Sequence, residues 1–110
     1  MAATLIVLFN LKQGKSPEDY ERWAVTTDLK TVRGLGSVSD FRLYKADGVL
    51  GSDDAPPYQY AELIAVDDMD AFGADIGSET MKRVAGEFQA FADAPVFMLT
   101  HDVEAALGRA

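Results

Sequence analysis

The spacing of hydrophobic and polar positions changes several times along the chain, and each change marks an element. Thr4 to Lys12, TLIVLFNLK, is a run of branched and aromatic residues that predicts a strand, with Leu5, Val7 and Phe9 on one side and Ile6 and Leu8 on the other. GKSPEDYERW then opens a helix. Ser16 is a good N-cap, Pro17 suits the first helical position, and Glu18 and Asp19 complement the positive end of the helix. Gly34 or Gly36 is expected to end it. SVSDFRLYKA, Ser37 to Ala46, alternates as a strand does, with Phe41 and Leu43 facing one way and Asp40, Arg42 and Tyr44 the other. DGVLGSDDAPP is loop chemistry. YQYAELIAV, Tyr58 to Val66, predicts a third strand, with Tyr60, Glu62 and Ile64 on a common face. DDMDAFGADIGSETMKRVAGEFQAFA returns to a helical period in two pieces, capped by Asp67 or Asp68 and again by Ser78. Its stripe of Met81, Val84, Ala85, Phe88, Phe91 and Ala92 reads as core. PVFMLTHDVE, Pro95 to Glu104, predicts a fourth strand followed by a short tail.

The predicted order, β-α-β-β-α-β, is that of a ferredoxin-like split βαβ unit: an α+β fold with a four-stranded antiparallel sheet and both helices on one face. No linker interrupts it, so residues 1–110 are expected to form a single domain. The first and fourth strands are apolar on both faces, since Val96 and Met98 oppose Phe97 and Leu99. Such strands need cover on both sides, and monomers rarely expose so large an apolar face. Two sheets packed face to face would supply the cover, which predicts a homodimer in the form of a dimeric α/β barrel.

The first helix carries the least ordinary pattern. On a 3.6-residue period Tyr20, Trp23, Ala24, Thr27, Asp28, Thr31 and Leu35 fall along one stripe, while Val25, Leu29 and Val32 lie well round from it. An aspartate thus sits beside the only tryptophan, on the side expected to be buried. A desolvated carboxyl has a raised pKa and suits a general acid or base, so Asp28 is a candidate catalytic group lining a pocket. The plainer alternatives are an ion pair with a nearby Arg or Lys, or a satisfied polar network in which the threonines bond the preceding turn. Tyr20 and Trp23 offer flat walls for an aromatic ligand, and Thr27 and Thr31 offer hydroxyls to hold it. Asn10, which interrupts the first strand, and Tyr60 complete the candidate ligand-binding set. His101, the only histidine, is the side chain best placed to move protons near neutrality; it is expected to act opposite Asp28 or to serve structurally. Asp40, Arg42, Tyr44, Tyr60 and Glu62 are expected to form a polar network facing the second sheet, with Arg42 paired to Glu62 across strands. The Asp47 to Pro57 loop is expected to be a lid or a partner contact.

Composition narrows the partners. Eighteen acidic against ten basic residues give a net charge of −8, which argues against nucleic acid and anionic membranes. The absence of cysteine excludes disulfides and thiolate chemistry. One histidine with no ligand spacing predicts no metal site, and no phosphate loop, dinucleotide fingerprint or nucleophile elbow calls for a cofactor. The opening residues lack a basic n-region and no apolar run is long enough to span a bilayer, so the expected location is cytoplasmic.

Three stretches, SPEDYERWAVTTDLKTVRGLGSVSDFRLYK, YQYAELIAV and DAFGADIGSETMKRVAGEFQAFADAPVFML, together resemble the REDY-like (HapK-like) family over about Leu5 to Thr100. The resemblance implies the dimeric α/β-barrel superfamily, which includes small monooxygenases and cyclases, and a setting in the biosynthesis of prodigiosin-type pigments. It implies a small-molecule pocket in each subunit and carries over no catalytic residue, because one fold hosts many reactions. The expected function is therefore a cofactor-independent enzyme of proton transfer, dehydration or cyclisation acting on an apolar aromatic molecule. The alternatives are a non-catalytic carrier or accessory protein for such an intermediate, or a cofactor-free monooxygenase.

Overall fold

The computed structural model describes residues 2–108. Strands β1 (Ala3–Leu11), β2 (Val38–Lys45), β3 (Tyr60–Val66) and β4 (Ala92–Thr100) form one sheet in the order β2-β3-β1-β4. Every neighbouring pair is antiparallel. The helices are α1 (Pro17–Trp23), a π-helical turn (Ala24–Asp28), α2 (Leu29–Arg33), α3 (Met69–Asp75), α4 (Glu79–Phe91) and a short α5 (Val103–Ala106). This is the ferredoxin-like α+β arrangement. Among the described residues no helix is long and apolar enough to cross a membrane.

The caps fall where the side chains dictate. Ser16 Oγ accepts from the Asp19 N–H, Asp68 from Asp70 and Ala71, and Ser78 from Met81, each satisfying N–H groups that a helix end leaves bare. β4 begins at Ala92, earlier than the apolar run predicts, and ends at Thr100. Its early end has a local cause: Asp102 accepts from the Ala105 N–H and starts α5, so His101 lies beyond the strand.

From α1 through the π turn to α2 the backbone is one helix with one irregularity. The Leu29 N–H bonds Ala24 O, five residues back, so this turn holds one residue more than α-helical winding allows. The extra residue rotates everything downstream. Tyr20, Ala24, Asp28, Leu29 and Val32 therefore share the buried side, and Val25 is left 58% exposed. The two separate stripes expected from a 3.6-residue period are one stripe with a step in it.

The core lies between the helices and one sheet face. Val7, Phe9, Phe41, Tyr60 and Val66 are buried there against Tyr20, Phe88 and Met81. Phe9 is at its centre, stacked on Tyr60 at 5.4 Å and edge-on to Phe88 at 5.0 Å and Tyr20 at 5.5 Å between ring centroids. Among the described residues no helix lies over the opposite sheet face. Ile6 and Leu8 pair there with Met98 and Val96 on one side and with Leu63 and Ala61 on the other, and Leu63, Val96 and Met98 stand well exposed.

Tyr60 and Glu62 lie on the helix-covered face, together with Ile64, and all three are buried. The expected polar network facing outward therefore does not form as a unit. The register sets Glu62 opposite Leu43 and Arg42 opposite Leu63, so Arg42 and Glu62 point to different faces. Arg42 bonds Asp40 instead, at 2.9 Å.

Candidate functional site

A cavity of about 270 Å³ opens between the sheet and the helices. Its sheet wall is Leu5, Phe41, Glu62 and Ile64, and the first helix adds Asp28 and Val32. α3 contributes Phe72, with Ile76 just past its end; α4 contributes Met81, Val84, Phe88 and Gln89; and Phe97 of β4 completes the ring. Ile76, Gln89 and Phe97 are exposed and form the rim. Nearly all of this lining is aliphatic or aromatic, and the ionisable groups in it are Asp28 and Glu62.

Both carboxyls are deeply buried, at 6% and 4% exposure. Burial pushes the Asp28 pKa up to about 6, with the neighbouring Glu62 hydrogen bond working in the opposite direction. Burial also raises the Glu62 pKa well above its ordinary value, and Asp28 raises it further through its charge and through a hydrogen bond. That is the pattern of two carboxyls holding one proton between them, with Glu62 favoured as the acid and Asp28 as the carboxylate; they titrate as a unit. Tyr20 Oη stands near enough to lower the Glu62 pKa a little. Neither Tyr20 Oη nor Glu62 Oε2, however, makes a hydrogen bond of proper geometry to another protein group. Burial, followed by the charges of Glu62 and Asp28, raises the Tyr20 phenol far above its ordinary range and keeps it neutral.

Asp28 follows Tyr20 and Ala24 at four-residue steps, and the π turn brings Leu29 and Val32 round to the same buried side. Glu62 arrives by simple strand alternation, two residues from Tyr60 and two from Ile64, both buried. A glutamate in that apolar register was the available sequence signal, and its assignment to the wrong sheet face hid it.

The remaining candidates fall elsewhere. Trp23 is half-buried and donates from Nε1 to Glu87 Oε1 at 2.8 Å, binding the first helix to α4. Thr27 and Thr31 are half-buried beside the stripe and do not line the cavity. Tyr60 crosses the core and donates from Oη to Glu21 Oε2 at 2.6 Å, where Lys45 also reaches Glu21 at 3.0 Å. Asn10 holds the β2–β3 loop, donating to Pro57 O and accepting from the Gln59 N–H. The loop is also fixed by the Leu11 N–H to Gln59 Oε1. It borders a shallow depression with Leu8, Tyr44 and Ala61 on the uncovered sheet face, so it does not close over the carboxyl cavity. His101 is exposed and lies with Thr4, Asp67 and Asp102 in a separate surface cleft of about 600 Å³; the structure does not bring it to Asp28. Among the described residues no group of His, Asp and Glu is arranged to hold a metal.

The model of the REDY-like protein HapK family matches residues 3–103. Among solved structures the chain is similar to HapK from Hahella chejuensis, with 27% identity over 94% of this chain and 93% of that one and a TM-score of 0.76. Two more distant likenesses concern the fold alone. A dimeric ferredoxin-like protein of unknown function from Thermobifida fusca has 17% identity over 93% and 92% of the two chains, with a TM-score of 0.75. SnoaB from Streptomyces nogalater, a cofactor-independent oxygenase, has 15% identity over 92% of each chain, with a TM-score of 0.73. No curated protein matches the sequence. The chain belongs to the REDY-like HapK family.

Proposed function

We propose that the protein binds an apolar, flat small molecule in the cavity between sheet and helices and moves a proton on it without a cofactor. One observation carries this reading: two buried carboxyls, both raised in pKa by burial, face an otherwise apolar cavity. In such a pair Asp28 takes a proton from one atom of the ligand and Glu62 delivers its own proton to another. The proton gained by Asp28 then passes to Glu62 across their hydrogen bond, which restores the starting state and leaves a tautomer of the ligand. Dehydration and ring closure use the same acid and base. The water-poor surroundings strengthen both roles, because the single charge of the pair is not screened.

The same reading includes an assembly and a setting. Two copies pair through the uncovered sheet faces into a dimeric α/β barrel, which covers Ile6, Leu63, Val96 and Met98. Membership of the HapK family supports a role in secondary metabolism of the prodigiosin-pigment type, carried out in the cytoplasm.

The test is a thermal-stability screen of wild type, Asp28→Asn and Glu62→Gln against flat apolar metabolites, followed by NMR of each hit in deuterated water. A ligand at a hundred times its Kd adds roughly 2.7 kcal/mol, a shift of more than about 5 °C for a domain of this size. The expected result is a ligand that exchanges deuterium or is converted by wild type and by neither variant. A ligand bound equally by all three and left unchanged would make the protein a carrier.

A further inference from the structure

The carboxyl pair also bears on what kind of ligand the cavity accepts. Asp28 and Glu62 with one proton between them leave a single negative charge inside the protein, and no Lys, Arg or His is among the cavity-lining residues. Lys45 and Arg42, on β2, are engaged elsewhere, with Glu21 and Asp40. Buried charges are ordinarily paired, so this one lacks a partner that the protein itself does not supply. Glu62 Oε2 is buried and makes no hydrogen bond of proper geometry, and the Tyr20 hydroxyl beside it is neutral and leaves the charge uncompensated. The ionised member of the pair accepts only, so the group that its charge lacks is a positively charged hydrogen-bond donor. Around the pair the rings of Phe41, Phe72, Phe88 and Phe97 supply apolar faces, and ring faces also attract cations. The net charge of −8 acts in the same direction at long range.

We propose that the cavity selects a cationic nitrogen base: a flat apolar body bearing a protonated amine or amidine-type group whose N–H donors meet the Asp28–Glu62 pair. This rests on the reading of the cavity as a ligand site and adds the charge of the ligand to it. Neutral amides are bound less well, since they leave the charge uncompensated. Carboxylates are bound least, since they place a second negative charge beside the first.

The probes are benzamidine, benzamide and benzoate, which share one ring and differ in charge, titrated by calorimetry near neutral pH. Wild type is expected to bind benzamidine at least about ten-fold more tightly than benzamide, equivalent to about 1.4 kcal/mol, and benzoate most weakly. The isosteric double variant Asp28→Asn with Glu62→Gln, its fold checked by circular dichroism, is expected to bind benzamidine and benzamide alike. Ile76→Trp, which fills the rim, is expected to weaken all three probes together. Benzamide binding as well as benzamidine in wild type would overturn the charge selection while leaving the ligand site standing. A preference for benzamidine that survives in the double variant would also overturn it. Binding of none of the three, by a folded protein, would remove the ligand site and the charge selection together.

Discussion

On the helix-covered face of the sheet, Val7 and Phe9 are fully buried, and so, nearly, are two carboxyl groups. On the open face, Leu63 of β3 and Val96 and Met98 of β4, the strands on either side of β1, are each more than a third exposed. The covered side thus contains charge that would be cheaper in water, and the open side displays apolar surface that would be better buried. A domain evolving for stability alone would have neither. The two departures have different remedies. The open face is continuous and lacks shape of its own, which suits a second sheet. The covered face is interrupted by a small enclosed space with two functional groups in it, which suits a ligand. The contrast puts the proposed assembly and the proposed chemistry on opposite sides of one sheet.

The largest way to disturb this contrast lies in the covered core. Phe9→Ala removes the ring that Tyr60, Phe88 and Tyr20 all contact and is expected to cost about 4 kcal/mol, read from the urea midpoint. A loss below about 1 kcal/mol would mean that the covered face is far looser than its burial indicates. Next is the open face. Leu63→Lys together with Met98→Lys is expected to weaken self-association at least about 100-fold, or about 2.7 kcal/mol, by sedimentation equilibrium, with helix content unchanged. An unaltered assembly state would leave the open face without its proposed partner.

The carboxyl pair comes third. Its folded pKa values lie above the unfolded ones, so the stability it contributes is fully present below about pH 4 and is lost as pH rises through about 6 and beyond. Wild type is therefore expected to be less stable near pH 8 than near pH 5 by at least about 2 kcal/mol from this source. Asp28→Asn is expected to flatten part of that slope, Glu62 keeping the rest, and to raise the thermal midpoint at the alkaline end. A wild-type profile without a slope would mean that the two groups are well solvated. The smallest effect is Tyr20→Phe, which deletes a buried hydroxyl without a good partner and is expected to stabilise by about 1 kcal/mol while leaving the core rings packed.

Most of the fold was legible because caps and periods are local. Ser16, Pro17 and Ser78 announce helix starts, and the alternations in β1 and β3 announce strands, from residues no more than a few positions apart. Asp28 was legible for a similar reason, as a carboxylate on a stripe of rings. What surrounds it was not. Glu62 is separated from Asp28 by a strand and a loop, and its facing depends on the β2–β3 register, which pairs Leu43 with Glu62 and which alternation within either strand leaves open. His101 misled because the apolar run through Leu99 invites a longer strand than the Asp102 cap permits. Thr27 and Thr31 fell beside the cavity because a helical wheel assumes uniform winding, and the π turn breaks that assumption at Ala24–Asp28.

That turn has a consequence for comparing this chain with its relatives. One residue removed between Ala24 and Asp28 would restore ordinary winding and leave the helix on either side in place, because the π turn absorbs the extra residue. A relative lacking the extra residue can therefore share every neighbouring position and still present a different side chain at the site. Alignments in this segment are meaningful only with a one-residue gap allowed inside the helix, and the identity of the residue matched to Asp28 depends on where that gap is put.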